Sequence, residues 1–388
     1  MKTFFTGSVG IFLLLGIFLS CSKIKDDSEQ KDVISWIKPC SFKKGIPGLT
    51  NLSVKSDQGF LVSGFSYNDS DTINGVVINM NSDGDTVWSK QINIEGYHQS
   101  KVYYAVEKSP DEIIVTGLAG YYSGPRFIMW LDGEGNIKKN ILLPQLSGYT
   151  TNDGKVFLQN NGKICLVTLS SLLNDMTFAS ATLRIDVLNS EGTPVDSISY
   201  PNTFFTSDKV IQMNDGNLAL TGSTWPGGSL DNMEMLFMLT DPSGKLIYRK
   251  EFGSDSYDVG ESVCTDFANG YFVSGSLTYS CTPVIYPVNS SGEVGTFTAV
   301  ADTIHSYGTL LKKANEGYLM FLQGYSRLYF IKLDKELNTK YISYIDYHNV
   351  PVIFPPVYMH INLMKDGSFA FLYISDFAGT SLIKTKPI

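Results

Sequence analysis

Three of the four histidines in this chain stand beside or near a tyrosine, and they do so in segments that recur along the sequence. The segments read Gly96-Tyr97-His98-Gln99, Gly148-Tyr149-Thr150, Thr203-Phe204-Phe205, Asp255-Ser256-Tyr257-Asp258, Ile304-His305-Ser306-Tyr307 and Asp346-Tyr347-His348-Asn349. Tyr and His each offer a flat apolar face and a hydrogen-bonding edge, a pairing that suits sugars and peptides alike. The candidate ligand-binding set is therefore Tyr97, His98, Tyr149, Tyr257, His305, Tyr307, Tyr347 and His348. A second origin for the same pattern is a packing tyrosine copied with each structural repeat. Of the four arginines, Arg126 and Arg327 each open an apolar strand at the same end of their repeat. There they can grip a ligand carboxylate bidentately, or lie solvated on a rim.

Catalytic chemistry is harder to find. Asp258 and Asp346 are the carboxylates that a hydrolase or lyase acting on carbohydrate would use, and such enzymes need a pair about 5–9.5 Å apart. The turn Ser82-Asp83-Gly84-Asp85-Thr86-Val87-Trp88 is superficially similar to the Asp-box of sialidases, but its Asp, Gly and Trp are out of register. No GxSxG, HExxH, P-loop or EF-hand spacing occurs. His98, His305 and His348 lie in separate repeats and could share a metal only at a common axis. No metal or other cofactor is expected. A net charge of −8 without a basic block argues against nucleic acid, which needs clustered Lys and Arg.

These residues are carried by a repeat. An apolar strand closes on glycine, a second apolar strand ends in Asp or Asn, and a tight turn leads to a third. The clearest copy is Asn269-Gly270-Tyr271-Phe272-Val273-Ser274-Gly275. Turns before the repeated strand fall at Gly59, Glu112, Gly162, Gly216, Gly270, Gly317 and Gly367. That is a period of about 50 residues, the signature of radially arranged four-stranded sheets. The later turns, such as Asp132-Gly133-Glu134-Gly135-Asn136 and Asp241-Pro242-Ser243-Gly244-Lys245, have hairpin chemistry: Asp or Asn caps the backbone and Gly supplies positive φ. The sixth copy, Asp334-Lys335-Glu336-Leu337-Asn338, lacks that glycine. The fold class is thus all-β: a β-propeller of antiparallel four-stranded blades, seven-bladed by its seven anchors, with weak copies such as the third leaving six or eight blades open. The last repeat stops after its third strand at Thr385, while residues 33–38 resemble an outer strand, with Trp36 and Lys38 spaced like Trp88 and Lys90. The N-terminal strand is expected to complete the last blade and close the ring, which hides two sheet edges. The abundance of aromatics, 22 Tyr and 23 Phe, suits such packing. Cys40, Cys165, Cys264 and Cys281 form no CxxC pair and read as buried thiols.

The N-terminus has the form of a secretion signal. Met1-Lys2 is cationic, residues 11–19 are apolar, and Leu19-Ser20-Cys21 has the form of a lipobox whose cysteine becomes acylated. The organisation that follows is a signal peptide over 1–20, a flexible polar tether over 21–32 beginning at lipidated Cys21, and a propeller domain over 33–388. This start resembles outer-membrane lipoproteins of Gram-negative bacteria, with Asp26 and Asp27 loosely matching an acidic surface-export stretch. The repeats resemble those of a bacterial propeller family that reads DGG-aromatic-apolar-apolar-x-G and then LDxxGxxxW and K, matched best at 271–275 and 86–90 and extending over residues 33–388. The resemblance implies the fold and almost no activity, because this scaffold hosts many functions.

The expectation is a monomeric, lipid-anchored protein of the outer membrane, on its periplasmic face or at the cell surface. Its role is to bind a glycan, a peptide or an envelope protein at the channel mouth, with a carbohydrate-active enzyme or a purely structural scaffold as alternatives. Contact with the membrane is expected through the anchor only.

Overall fold

The computed structural model describes residues 34–40, 46–67, 72–120, 124–144, 148–172, 180–204, 209–225, 232–254, 257–277, 282–300, 304, 306, 308–324, 327–346, 360–375 and 379–387. The signal segment, Cys21, the tether and Cys281 lie outside them. Among the described residues there is no α-helix, only strands and their turns.

Each blade has four strands, a to d, the first innermost. The first strand among the described residues is β1 (Ile34–Pro39), which belongs to the last blade. Blade one is β2 (Ile46–Val54), β3 (Phe60–Tyr67), β4 (Ile73–Met80) and β5 (Thr86–Ile92). Blade two is β6 (Ser100–Ser109), β7 (Glu112–Ala119), β8 (Arg126–Asp132) and β9 (Ile137–Leu143). Blade three is β10 (Tyr149–Leu158), β11 (Ile164–Leu172), β12 (Thr182–Leu188) and β13 (Pro194–Pro201). Blade four is β14 (Val210–Gln212), β15 (Leu218–Thr224), β16 (Glu234–Thr240) and β17 (Leu246–Phe252). Blade five is β18 (Val259–Thr265), β19 (Tyr271–Leu277), β20 (Thr282–Val288) and the short β21 (Thr298–Ala299). Blade six is β22 (Thr309–Ala314), β23 (Gly317–Gln323), β24 (Arg327–Leu333) and β25 (Thr339–Asp346). Blade seven takes β26 (Ile361–Leu363), β27 (Phe369–Ser375) and β28 (Gly379–Thr385) from the end of the chain and β1 from its beginning. Ile37 pairs with Ile383 and Pro39 with Ser381, so the expected closure is present.

The burial pattern explains why the b and c strands dominate the sequence signal. All eight residues of β4 are buried, and so are all seven of β15, because both faces of these strands meet a neighbouring blade. The outer β13 is almost wholly exposed. The core is divided among the interfaces. Leu52, Phe60 and Val76 of blade one meet Ala370 and Leu382 of blade seven, while Ile114 and Trp130 of blade two meet Ile164 and Leu188 of blade three. Cys40, Cys165 and Cys264 are free and buried in these cores.

A second contact recurs at the outer edge. The Asx-capped turn between strands c and d of one blade lies under a side chain of the preceding blade. A Cβ on Gly84 would come within 2.5 Å of the Trp36 ring, and one on Gly135 within 3.1 Å of Trp88. Gly192 lies still more tightly under Trp130, Gly244 under Ile185 and Gly292 under Tyr248. Polar contacts fix the register: Trp88 Nε1 donates to the Gly133 carbonyl at 2.8 Å, and Lys38 pairs with Asp85 at 2.7 Å. The Trp-x-Lys spacing therefore has a physical role, since both residues address the next blade's turn. In blade six Leu337 takes the glycine position with φ +66, its amide still bonded to Asp334, and buries its side chain against blade five.

The glycines before strand b divide into two kinds. Gly162, Gly216 and Gly367 supply positive φ. At Gly59 and Gly270 the left-handed residue is the one before, Gln58 or Asn269, and the glycine instead clears a facing carbonyl, Met80 O or Val288 O. The repeats are thus one residue out of register there.

Gly192 and Gly96 share a left-handed backbone, but nothing lies within 4 Å of a Cβ built on Gly96. Gly192→Ala should therefore cost about 1–3 kcal/mol more than Gly96→Ala, because only the former strikes a packed indole; urea midpoints of the two variants measure the difference. Deleting residues 33–42 should lower the melting temperature sharply by opening the ring.

Candidate functional site

The strand order places the a–b and c–d turns on one end of the ring and the b–c and d–a connections on the other. The first are short and closed by backbone hydrogen bonds, such as Asn81 N to Asp85 O at 3.0 Å and Gln159 N to Lys163 O at 2.9 Å. The second vary widely: β5 to β6 spans from Ile92 to Ser100, and β25 to β26 from Asp346 to Ile361. Of the recurring Tyr/His segments, the described Tyr97, His98, Tyr149 and Tyr257 belong to this second, loop-bearing face.

Tyr97 and His98 are exposed on a turn stabilised by Tyr97 N to Ile94 O at 3.0 Å. Tyr149, first residue of β10, is half-buried, and Tyr257 is half-buried against the core of blades three and four. The three tyrosines thus differ: one is presented to solvent and one is largely a packing residue. His305, Tyr307, Tyr347 and His348 lie outside the described residues, as does the side chain of Asp346, whose backbone pairs with Arg327.

Asp258 is fully buried and serves its own turn. It accepts bonds from the Ser254 amide and from Ser254 Oγ at 2.9 Å, while its amide donates to Met233 O at 2.8 Å. These bonds hold the segment that leads into blade five.

The two arginines also part company. Arg327 is half-buried, its guanidinium 4.1 Å from the centre of the Tyr344 ring. Arg126 is not a solvated rim charge. It is 2% exposed, bonds Asp186 of the next blade, and donates to Pro144 O at 2.7 Å. Arg184 adds a second guanidinium to Asp186 at 2.8 Å. Burial alone would push the Asp186 carboxyl up, but the two guanidinium groups outweigh it and hold it below the usual carboxylate range. The carboxylate that Arg126 grips is the protein's own. The sequence carried a faint signal of this: Arg184 and Asp186 sit two apart, hence on one face, inside an otherwise apolar strand.

Two further groups were missed in the sequence. Glu261 occupies a β-bulge between Gly260 and Ser262; it accepts from Ser276 Oγ of its own blade at 3.3 Å and reaches the next blade to accept from Thr309 N at 2.6 Å. The residue keeps some accessible area, yet its carboxyl is enclosed by protein, and burial pushes it above the ordinary glutamate range despite Lys209 and these bonds. Trp225 is buried edge-to-face with Phe204 at 5.6 Å, and among the described residues its indole N–H has no hydrogen-bond partner. Among the described residues no cluster of three His, Cys, Asp or Glu side chains is arranged to hold a metal.

No protein-family model matches the sequence, and no curated protein matches it. The fold has many counterparts. The Dos1 propeller superposes with a TM-score of 0.53 at 9% identity, over 89% of this chain and 82% of that one. BBS1N in complex with ARL6DN gives 0.52 at 11%, over 91% and 96%. An ancestral GH74 enzyme gives 0.51 at 11%, over 89% of this chain but 47% of that one. Fold and comparisons together define a seven-bladed β-propeller.

Arg126→Ala should destabilise the protein by about 3–5 kcal/mol, because it leaves a buried carboxylate short of a partner. Arg327→Ala should cost about 1 kcal/mol, the loss of a half-buried guanidinium's contact with one aromatic ring. Denaturant unfolding separates the two. Glu261 and Asp186 should have opposite effects on pH dependence. A carboxyl raised on folding makes stability fall as pH rises from the ordinary glutamate value through the raised one, whereas a lowered one loses stability as pH falls through it. Glu261→Gln should therefore raise the melting temperature at pH 8 relative to pH 5, compared with the parent protein.

Proposed function

We propose that this protein is a lipid-anchored component of the bacterial outer membrane that binds a glycan, a peptide or an envelope protein through its loop-bearing face. The observation that carries the reading is the asymmetry of the ring. One face is built from repeat-encoded turns bound to their own backbone, and the other from connections of unlike length and sequence, where recognition is usually placed on a rigid scaffold. Tyr97 and His98 stand exposed on that face. The solved propeller BBS1N, seen in complex with a protein partner, supports the use of such a ring for partner binding.

The hydrolase or lyase reading loses support, since Asp258 is buried and committed to the turn at Ser254. Acylation of Cys21 would tether the ring to the bilayer, and the protein would act as a monomer there.

Two measurements test the reading. Thermal shifts of the mature chain against panels of oligosaccharides and peptides should give a ligand-dependent rise that Tyr97→Ala removes without lowering the unliganded melting temperature. Cys21→Ala should move the protein out of the membrane fraction and abolish palmitate incorporation. A Cys21→Ala variant that stays membrane-bound would refute the anchor.

A further inference from the structure

The two chain ends meet at one place on the ring. β28 reaches the short-turn face at Thr385, and β1 starts opposite it at Ile34. Whatever precedes Ile34 therefore leaves from the short-turn face, opposite the loops. Blade seven consequently has no continuous c–d turn, because its c and d strands are the two ends of the ring. At the other interfaces that turn covers the outer part of the preceding blade. Between blades six and seven a cleft of about 540 Å³ remains, lined among others by Glu316, Lys332, Met364 and Lys365.

The cleft itself carries two lysines and one glutamate. Lys332 and Lys365 line the cleft beside Glu316, and Lys384 of β28 stands in the same blade as Lys365, whereas Lys335 turns back over Phe267 of blade five and Lys38 forward to Asp85 of blade one. Asp334 takes up Lys340 at 2.7 Å, Asp366 takes up Lys384 at 3.2 Å and Asp85 takes up Lys38. Among the described residues Lys332 and Lys365 take part in no such pair. Two lysines without an ion pair among the described residues thus stand on the face from which the N-terminal segment departs.

We propose that the seam between blades six and seven is a membrane-docking site, with Lys332 and Lys365 taking the phosphate of anionic lipid headgroups and the loop-bearing face turned away from the bilayer. The geometry rests on the lipidation of Cys21 proposed above; the charge does not. A chain of the tether's length spans about 20 Å as a coil, so an anchor at Cys21 holds this seam nearest the headgroups. Each lysine brought to an anionic surface adds to the attraction within a Debye length, and contact would fall with salt. The inverted alternative, loops toward the membrane, would require the tether to pass around the ring.

The test separates anchor from seam. The mature chain carrying Cys21→Ser is floated with vesicles of phosphatidylethanolamine and phosphatidylglycerol, or of phosphatidylcholine alone, at low and high salt. Flotation with the anionic vesicles only, lost in high salt and reduced at least about tenfold by Lys332→Glu with Lys365→Glu, is expected. Lys138→Glu with Lys245→Glu, the same charge change elsewhere on the short-turn face, should leave it largely intact. No flotation, or equal loss in both double variants, overturns the proposal. Because this measurement uses unlipidated protein, a failure of the Cys21 anchor would show in fractionation and not here.

Discussion

The structure depends on how one blade seats against the next. A four-stranded sheet has two apolar faces and cannot be stable alone, so every b and c strand is buried only because a neighbour covers it. The cores lie between blades, and the outer seam adds a fixed register: an indole, a phenol ring or an isoleucine of one blade rests on the turn glycine of the next. A side chain at that glycine would push the blades apart. The glycine thus serves two constraints at once, positive φ for its own hairpin and clearance for a neighbour about 50 residues away. Only the sixth turn departs, and there Leu337 accepts a left-handed backbone and fills the interface with its own side chain.

Nearer the axis a different device links the blades. Strand a carries a bulge in blades one, two, three and five, and where the bulged side chain is described it reaches across the interface. Tyr103 donates to Thr151 O of blade three, and Glu261 accepts from Thr309 N of blade six. The inserted residue breaks the ladder locally and turns a side chain out of the sheet, toward the neighbouring inner strand. The Arg126–Asp186–Arg184 cluster does the same between blades two and three with buried charge. Such a cluster adds little net stability compared with an apolar contact, but it admits one alignment of the two blades.

A ring held at its core, rim and inner strands leaves its loop-bearing connections free to vary without loss of fold. Their lengths are set by neither the cores nor the rim contacts. The opposite face is the regular output of the repeat within this chain, interrupted once, at the seam where the chain ends meet. The contrast between the faces follows from that division, and so does the position of the seam where blade seven has no continuous c–d turn.

The sequence by itself determined the repeat and the closure by residues 34–39 and pointed to seven blades, because each rests on local patterns: apolar runs, Asx-Gly turns and the Trp-x-Lys spacing; the sheet topology settled the number at seven. It also indicated the burial of Cys40, Cys165 and Cys264. The candidate site was less legible. Tyr97 and Tyr257 occupy equivalent places in the repeat, yet one is exposed and the other packs on a core, since equal positions meet unequal neighbours. Arg126 and Arg327 both open strand c, but only Arg126 has an aspartate across the interface. Asp258 is spoken for by a serine four residues before it. Periodicity fixes which strand a residue stands on and which way its backbone runs; what a side chain touches is decided by the adjacent blade, which comes from a distant part of the chain and which only the tertiary structure brings into place.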